Sequence, residues 1–373
     1  MNVPFVDLSR QFKPILDDIF KSMMNVIERC AFIKGSEVGL FEKKMAEWLG
    51  IKEVCGVSNG THALALTLKA LGIGRGDEVI VPPNTAFPTA EAVNLSGAEV
   101  VFADISRDYY NLDPKDTERR ITGKTKAIIP VHLYGIPADM DSFLNISKKY
   151  NVFIIEDVAQ AMGAKYKGRM VGSIAHAGCF SFFPSKNLGT FGDGGAVASN
   201  NIELIKNVRM LADHGRNNKF THFFIGTNSR LDTLKAAQLL ICLDYLNEWN
   251  KRRQEAALLY NELLKPCEEI VTPKVPEECE AVWHLYVIRY SDREGLKEYL
   301  NKNGIKTGLH YPLPLHLQPA YEYLGLKKGS FPNAEVACSE VLSLPMFPFI
   351  TTDEIEFVVK HIIKYLENKK RYY

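Results

Sequence analysis

The chain lacks a long apolar run, an excess of charge of one sign and a cysteine framework, and each absence removes a class of function. No stretch reaches the roughly 20 apolar residues that span a bilayer. The first residues, Met1 to Asp7, carry no basic region followed by an apolar core, so no signal peptide is expected. A formal net charge of +1 over 373 residues leaves no global field to gather nucleic acid or anionic lipid. An anionic ligand must therefore be held by local groups. The seven cysteines are odd in number and scattered, and no C-x-x-C occurs. This argues against disulfides and a zinc ribbon and favours reduced thiols and a cytoplasmic location. There is no P-loop and no H-E-x-x-H. Gly72-Ile73-Gly74-Arg75-Gly76 follows a helical pattern and reads as a helix stop, not a dinucleotide fingerprint. His310 and His316 sit in a proline-rich loop without metal-like companions, so no metal is expected. Internal repeats and low-complexity segments are absent.

What is present reads as an α/β chain. Apolar residues make up 46% and charged ones 24%, an ordinary globular balance. Val/Ile-rich runs without polar alternation predict strands at 54–58, 78–82, 99–104, 127–132, 152–157, 178–183 and 195–199. Helical patterns at 61–71, 86–96, 139–149 and 203–213 separate several of them. That alternation predicts a mainly parallel sheet buried between helix layers. Two helical patterns follow, at 231–246 and 248–265, then a strand at 285–290 and helices near 293–303, 333–343 and 352–368. The stretch 306–332, rich in proline, aromatics and histidine, reads as an ordered loop. A large domain is expected over 1–247 and a smaller α/β domain over 248–373, with the N-terminal helix near 14–30 packed on the small domain. Lys369–Tyr373 reads as a frayed charged tail.

Three motifs carry chemistry. In Phe180-Ser181-Phe182-Phe183-Pro184-Ser185-Lys186 an apolar strand ends and a lysine follows, in a turn rich in glycine as far as Gly195. Lysine forms a Schiff base with an aldehyde when its amine can lose a proton, although most loop lysines are plain surface residues. In Ile154-Ile155-Glu156-Asp157-Val158-Ala159-Gln160 two carboxylates appear at a strand's C-terminal end, where open α/β sheets bind ligands. Asp157 there either pairs with a cation, such as a protonated pyridine nitrogen, or caps a following helix. In Gly56-Val57-Ser58-Asn59-Gly60-Thr61-His62 a strand turns into a helix whose free N–H groups suit a phosphate. The same residues fit an ordinary connection capped by Ser58 or Thr61.

Taken in order along the chain, Gly60-Thr61, Asp157 with Gln160, and Ser181 with Lys186 resemble the fold-type I enzymes that use pyridoxal 5′-phosphate. More narrowly, the chain resembles the DegT/StrS family of sugar-nucleotide aminotransferases. Further matches are Asp77-Glu78-Val79-Ile80-Val81-Pro82, Pro130-Val131-His132-Leu133-Tyr134-Gly135, Asn228-Ser229-Arg230-Leu231-Asp232 and His310-Tyr311-Pro312. The resemblance implies an aspartate aminotransferase-like fold. It implies that Lys186 holds the cofactor and shuttles the proton, Asp157 meets the pyridine nitrogen and Gln160 its phenolic oxygen. Gly60, Thr61 and Ser181 would hold the phosphate. Asn228 would reach the phosphate of a neighbouring subunit, making a homodimer with shared sites. L-glutamate would donate the amino group, and a nucleotide-linked keto sugar, with the loop at 306–320 favouring a 3-keto one, would accept it. Arg230, Tyr311 and His316 are candidate substrate contacts, with Phe32-Ile33-Lys34-Gly35 as a lid.

Two departures from the family pattern stand out. Where an aromatic often stacks on the cofactor ring this chain has Ala86, so either Phe87 stacks or something smaller covers the ring. Met162 stands where several 3-keto sugar aminotransferases have histidine. The rivals are an aminotransferase acting on a cyclitol or another non-nucleotide ketone, and a regulatory protein that binds the cofactor without turnover. Family dehydratases carry histidine where this chain has Lys186, which argues against dehydration.

Overall fold

Most of the β-branched runs form strands close to where their composition places them. In chain order the strands are β1 (Glu53–Val57), β2 (Glu78–Val81), β3 (Glu99–Phe102), β4 (Thr125–Ile128), β5 (Phe153–Asp157), β6 (Lys165–Tyr166), β7 (Arg169–Met170), β8 (Ala177–Ser181), β9 (Gly195–Ser199), β10 (Cys279–Glu280), β11 (Tyr286–Arg289) and β12 (Val341–Leu344). They come from a computed structural model that describes residues 1–371. Seven strands make one sheet in the order β1-β9-β8-β5-β4-β2-β3. Only β9 runs against the others: its pairings with β1 and β8 are antiparallel and the rest are parallel.

Alternate residues of a strand enter different cores. Val79 and Val81 join one apolar cluster and Ile80 the other, as do Ala127 and Ile128 on β4. Both faces of the sheet are therefore covered, which is why these strands read as continuous apolar runs. The helices Gly60–Ala70, Phe87–Ser96, Met140–Tyr150 and Ile202–Ala212 lie within a residue or two of their predicted spans. A third core gathers residues from Ala256 onward with Val3 and Ile136, around the antiparallel pair β11–β12.

Several elements differ from expectation. The two patterns at 231–246 and 248–265 form one helix, Thr233–Leu264, because neither glycine nor proline interrupts it. The expected domain border at 247/248 thus falls inside a continuous helix. The predicted helix 333–343 stops at Glu340, and Val341–Leu344 become β12, buried against β11. A helix at Ser36–Leu49 and the small sheet β10-β6-β7 carried no recognised signal. The N-terminal helix, Leu16–Glu28, packs on the long helix rather than on the small domain: Ile15 and Ile19 share a core with Leu239 and Cys242, and Ser22 donates to the Ala237 carbonyl. The tail is also corrected. Lys369 and Lys370 belong to the helix Thr352–Arg371 and pair with Asp292 at 2.6 Å and Glu269 at 2.7 Å. Tyr372 and Tyr373 lie outside the described residues.

Candidate active site

The carboxyl ends of β1, β2, β4, β5 and β8 converge on a cavity of about 290 Å³. Its first wall is the turn from β1 into the helix Gly60–Ala70. Asn59, not Ser58 or Thr61, caps this helix by accepting the His62 N–H at 2.8 Å. The Gly60 and Thr61 N–H groups at the start of the helix have no intrahelical acceptor and remain open to an anion. A Cβ on Gly60 would stand 2.8 Å from the Ser181 Cβ, so only glycine lets β8 come this close. Gly60, Thr61 and Ser181 thus form one polar cradle.

The floor is the end of β5. Asp157 is 5% exposed. Its Oδ2 accepts from Thr89 Oγ1 at 2.9 Å and its Oδ1 from the Ala159 N–H at 3.1 Å. No helix follows it, so it caps nothing. Burial pushes its carboxyl above the ordinary range, against the pull of those hydrogen bonds and of Lys186. A cationic partner would relieve that cost. Lys186 stands in the turn after β8, where a Cβ on Gly189 would come 2.3 Å from the Pro184 carbonyl oxygen. The tight turn aims a part-buried lysine back into the cavity. Burial lowers its amine from 10.5 to about 8, with Asp157 opposing.

Residues 14–363 match the model of the DegT/DnrJ/EryC1/StrS aminotransferase family. The chain belongs to that family. It is 44% identical to a dTDP-3-amino-3,6-dideoxy-alpha-D-galactopyranose transaminase of Aneurinibacillus thermoaerophilus, over 97% of this chain and 99% of the relative. It is 42% identical to a pleiotropic regulatory protein of Geobacillus stearothermophilus, over 98% and 99%. The solved structure of S. venezuelae DesV superposes with a TM-score of 0.96 at 40% identity, covering 98% of each chain.

Solved members of this aminotransferase family hold pyridoxal phosphate or its aminated form, and the donors in the cavity fit that group. The cradle suits a phosphate, Asp157 suits a protonated ring nitrogen, and Lys186 is an amine poised to lose a proton. Gln160, 4% exposed, accepts the Tyr134 N–H on Oε1 at 2.7 Å. Its Nε2, 3.2 Å from Tyr311 Oη, is therefore the end left to donate. Ala86 lines the cavity and Phe87 does not: the Phe87 ring packs on Tyr321 at 5.5 Å. The position that often holds an aromatic is covered by a methyl group.

The remaining candidates divide. Tyr311 reaches the site through Gln160. Asn228 is exposed and outside this chain's own cavity. Arg230 also stays outside it and donates to Asp213 at 2.8 Å. His316 is corrected to a packing residue: it is 1% exposed, bonded to Glu335 at 3.1 Å and packed edge-on to Phe331. The segment Phe32–Gly35 is not a loose lid. Its backbone is tied to Thr233 at the start of the long helix, and Lys34 pairs with Asp213.

Other site residues were missed. Thr89, in the first turn of the helix Phe87–Ser96, hydrogen-bonds both Asp157 and Thr85, which stands just before that helix. Glu156 is a structural residue: fully buried, it accepts from the Gly172, Ile174 and Ala175 N–H groups and from His132. The His132 Nδ1 accepts from the Ala138 N–H, so its proton lies on Nε2, toward Glu156.

Proposed function

We propose that the chain is a pyridoxal-phosphate-dependent aminotransferase that moves the amino group of L-glutamate to the 3-keto carbon of a nucleotide-linked deoxysugar. The observation that carries this reading is the convergence of Lys186, Asp157 and the Gly60–Ser181 cradle on one cavity at the strand ends. The cofactor, when bound, supplies the electron sink that makes a Cα proton acidic. The Gly60 and Thr61 N–H groups and Ser181 Oγ hold its phosphate, Asp157 keeps its ring nitrogen protonated, and Gln160 Nε2 donates to its phenolic oxygen. Lys186 Nζ takes the proton from Cα of glutamate, and later gives one to the sugar carbon that becomes aminated. An amine lowered to about 8 has a sizeable neutral fraction near neutrality. Tyr311, through its contact with Gln160, and Arg230 would meet the nucleotide sugar.

The 3-amino sugar in the name of the Aneurinibacillus relative supports the 3-keto assignment. A homodimer is part of the proposal. Phe220 and Ile225 are 84% and 98% exposed in the segment that leads to Asn228, apolar side chains that a partner subunit would cover. Asn228 would then serve the partner's phosphate. The second reading, cofactor binding without turnover, is favoured by the name of the Geobacillus relative and by that of a 41% identical erythromycin biosynthesis sensory transduction protein of Saccharopolyspora erythraea.

Absorbance of the purified protein, beside Lys186→Ala, before and after glutamate, separates these readings. The proposal expects the yellow lysine-bound cofactor to give way to the colourless aminated form in wild type alone. An unchanged spectrum with glutamate supports the regulatory reading. A Lys186→Ala protein that behaves like wild type removes Lys186 from the mechanism.

A further inference from the structure

Lys186 has a neighbour that does not line the cavity. His284 stands just before β11, and its Nε2 lies 3.4 Å from the Lys186 Nζ. The residue is 7% exposed and its Nδ1 has no partner among the described residues. The backbone around it is clamped. Arg253, 1% exposed on the long helix, donates from Nη1 to the carbonyls of Trp283, His284 and Met346, each at 3.3 Å. On the other side a Cβ on Gly135 would stand 2.9 Å from the His284 nitrogen, so the chain is packed against Gly135. The ring is thus delivered to the lysine by two elements outside the cavity.

The groups around this pair bear on its protonation. Asp157 faces Lys186, and His310 lies close enough for the lysine charge to act on it. Burial, with Lys186, Arg253 and His310 adding to it, holds the His284 imidazole well below the ordinary range. A neutral imidazole offers one acceptor nitrogen. A neutral lysine amine has two N–H bonds and one lone pair. Giving one N–H to an acceptor leaves the lone pair free to take a proton, whereas a donor at the same place would occupy it. The lysine stem has four carbons and would otherwise let the nitrogen wander.

We propose that His284 is a positioning residue for Lys186: its Nε2 accepts one N–H of the lysine amine whenever that amine is not bonded to the cofactor, and holds it at the cavity floor with its lone pair free. The inference rests on Lys186 being the cofactor lysine, which the absorbance comparison tests by itself.

The pH dependence of Lys186 acetylation by dilute acetic anhydride, read by peptide mass spectrometry on the full cofactor-free chain, tests it. Wild type should show a half-point near about 8. In His284→Leu the ammonium form loses an acceptor, so the half-point should fall by about one unit, the worth of one hydrogen bond. The saturating rate of the glutamate half-reaction should fall about tenfold, with the apparent affinity for glutamate within about twofold. His284→Gln places an amide oxygen where Nε2 was and should restore both values. An unchanged half-point in the Leu variant would mean that the ring only packs, and a raised one that it donates to the lysine; either overturns the proposal, as does a Gln variant that behaves like Leu. If the Leu variant does not fold, His284→Phe keeps the ring volume without the nitrogens and takes the same two readings.

Discussion

Lys186 is costly to the folded chain when nothing is bonded to it. Its amine titrates at about 8 in the fold and at 10.5 ordinarily. Between those values the unfolded chain binds more protons, so stability from this site rises with pH across that window. Below it both states are protonated and the burial cost is at its full, constant value. Lys186→Met should therefore raise the melting temperature of the cofactor-free chain most near about pH 7, with the gain shrinking toward about pH 10. Thermal unfolding at the two pH values checks this, and an equal gain at both contradicts it. Gly60 offers a second test. Its added Cβ would meet Ser181 at 2.8 Å, and such crowding costs about 1–3 kcal/mol. Gly60→Ala should weaken cofactor binding about tenfold or more by equilibrium titration, with little change in the far-ultraviolet dichroism spectrum. At this scale the sequence displayed Lys186, Asp157 and Gly60 because unusual residue types stood at strand ends. It did not display His284, whose approach to Lys186 spans 98 positions.

Among the elements, the end of β5 shows two neighbouring carboxylates with opposite duties. Successive strand residues face opposite sides of the sheet. Asp157 therefore meets the cavity, while Glu156 anchors the loop at 172–175 from beneath. Glu156→Ala would leave three buried N–H groups without an acceptor, at a cost of about 3–5 kcal/mol. Urea unfolding should show that loss through a lower midpoint at unchanged slope; a loss under about 1 kcal/mol would mean that the loop finds other acceptors. Parallel strands were legible because burial on both faces writes an apolar run into the sequence. The strand β12 was not, since Val341–Leu344 continue an apolar pattern begun in the preceding helix, and only pairing with β11 fixes their conformation. The helix Ser36–Leu49 passed unnoticed between a suspected lid and β1 although glycines stand at both of its ends.

For the whole molecule, the proposed dimer makes each cavity depend on two chains. Lys186→Ala removes the lysine from a cavity, whereas Asn228→Ala would remove a phosphate contact from the neighbour's. Each variant alone should be inactive or strongly impaired. Mixed and allowed to exchange subunits, they should regain activity, because one cavity of each mixed dimer then has both residues intact. Glutamate half-reaction rates before and after mixing, with sedimentation to confirm the dimer, read the outcome. No recovery in a confirmed mixed dimer places Asn228 in its own chain's site.

The sequence by itself determined the layered α/β plan and the residues at the strand ends, because local composition dictates strand burial and because the lysine, aspartate and glycine motifs, each with an ordinary use alone, occur together in family order. It also determined the family, through motifs spread over nearly the full chain. Tertiary structure alone decided which candidates face the cavity. Tyr311 reaches it through Gln160, His316 is buried in the core beside Phe331, and Phe87 turns to Tyr321 and leaves Ala86 over the site. The physical reason is that a side chain's direction depends on what packs against it, and those partners lie far away in the sequence.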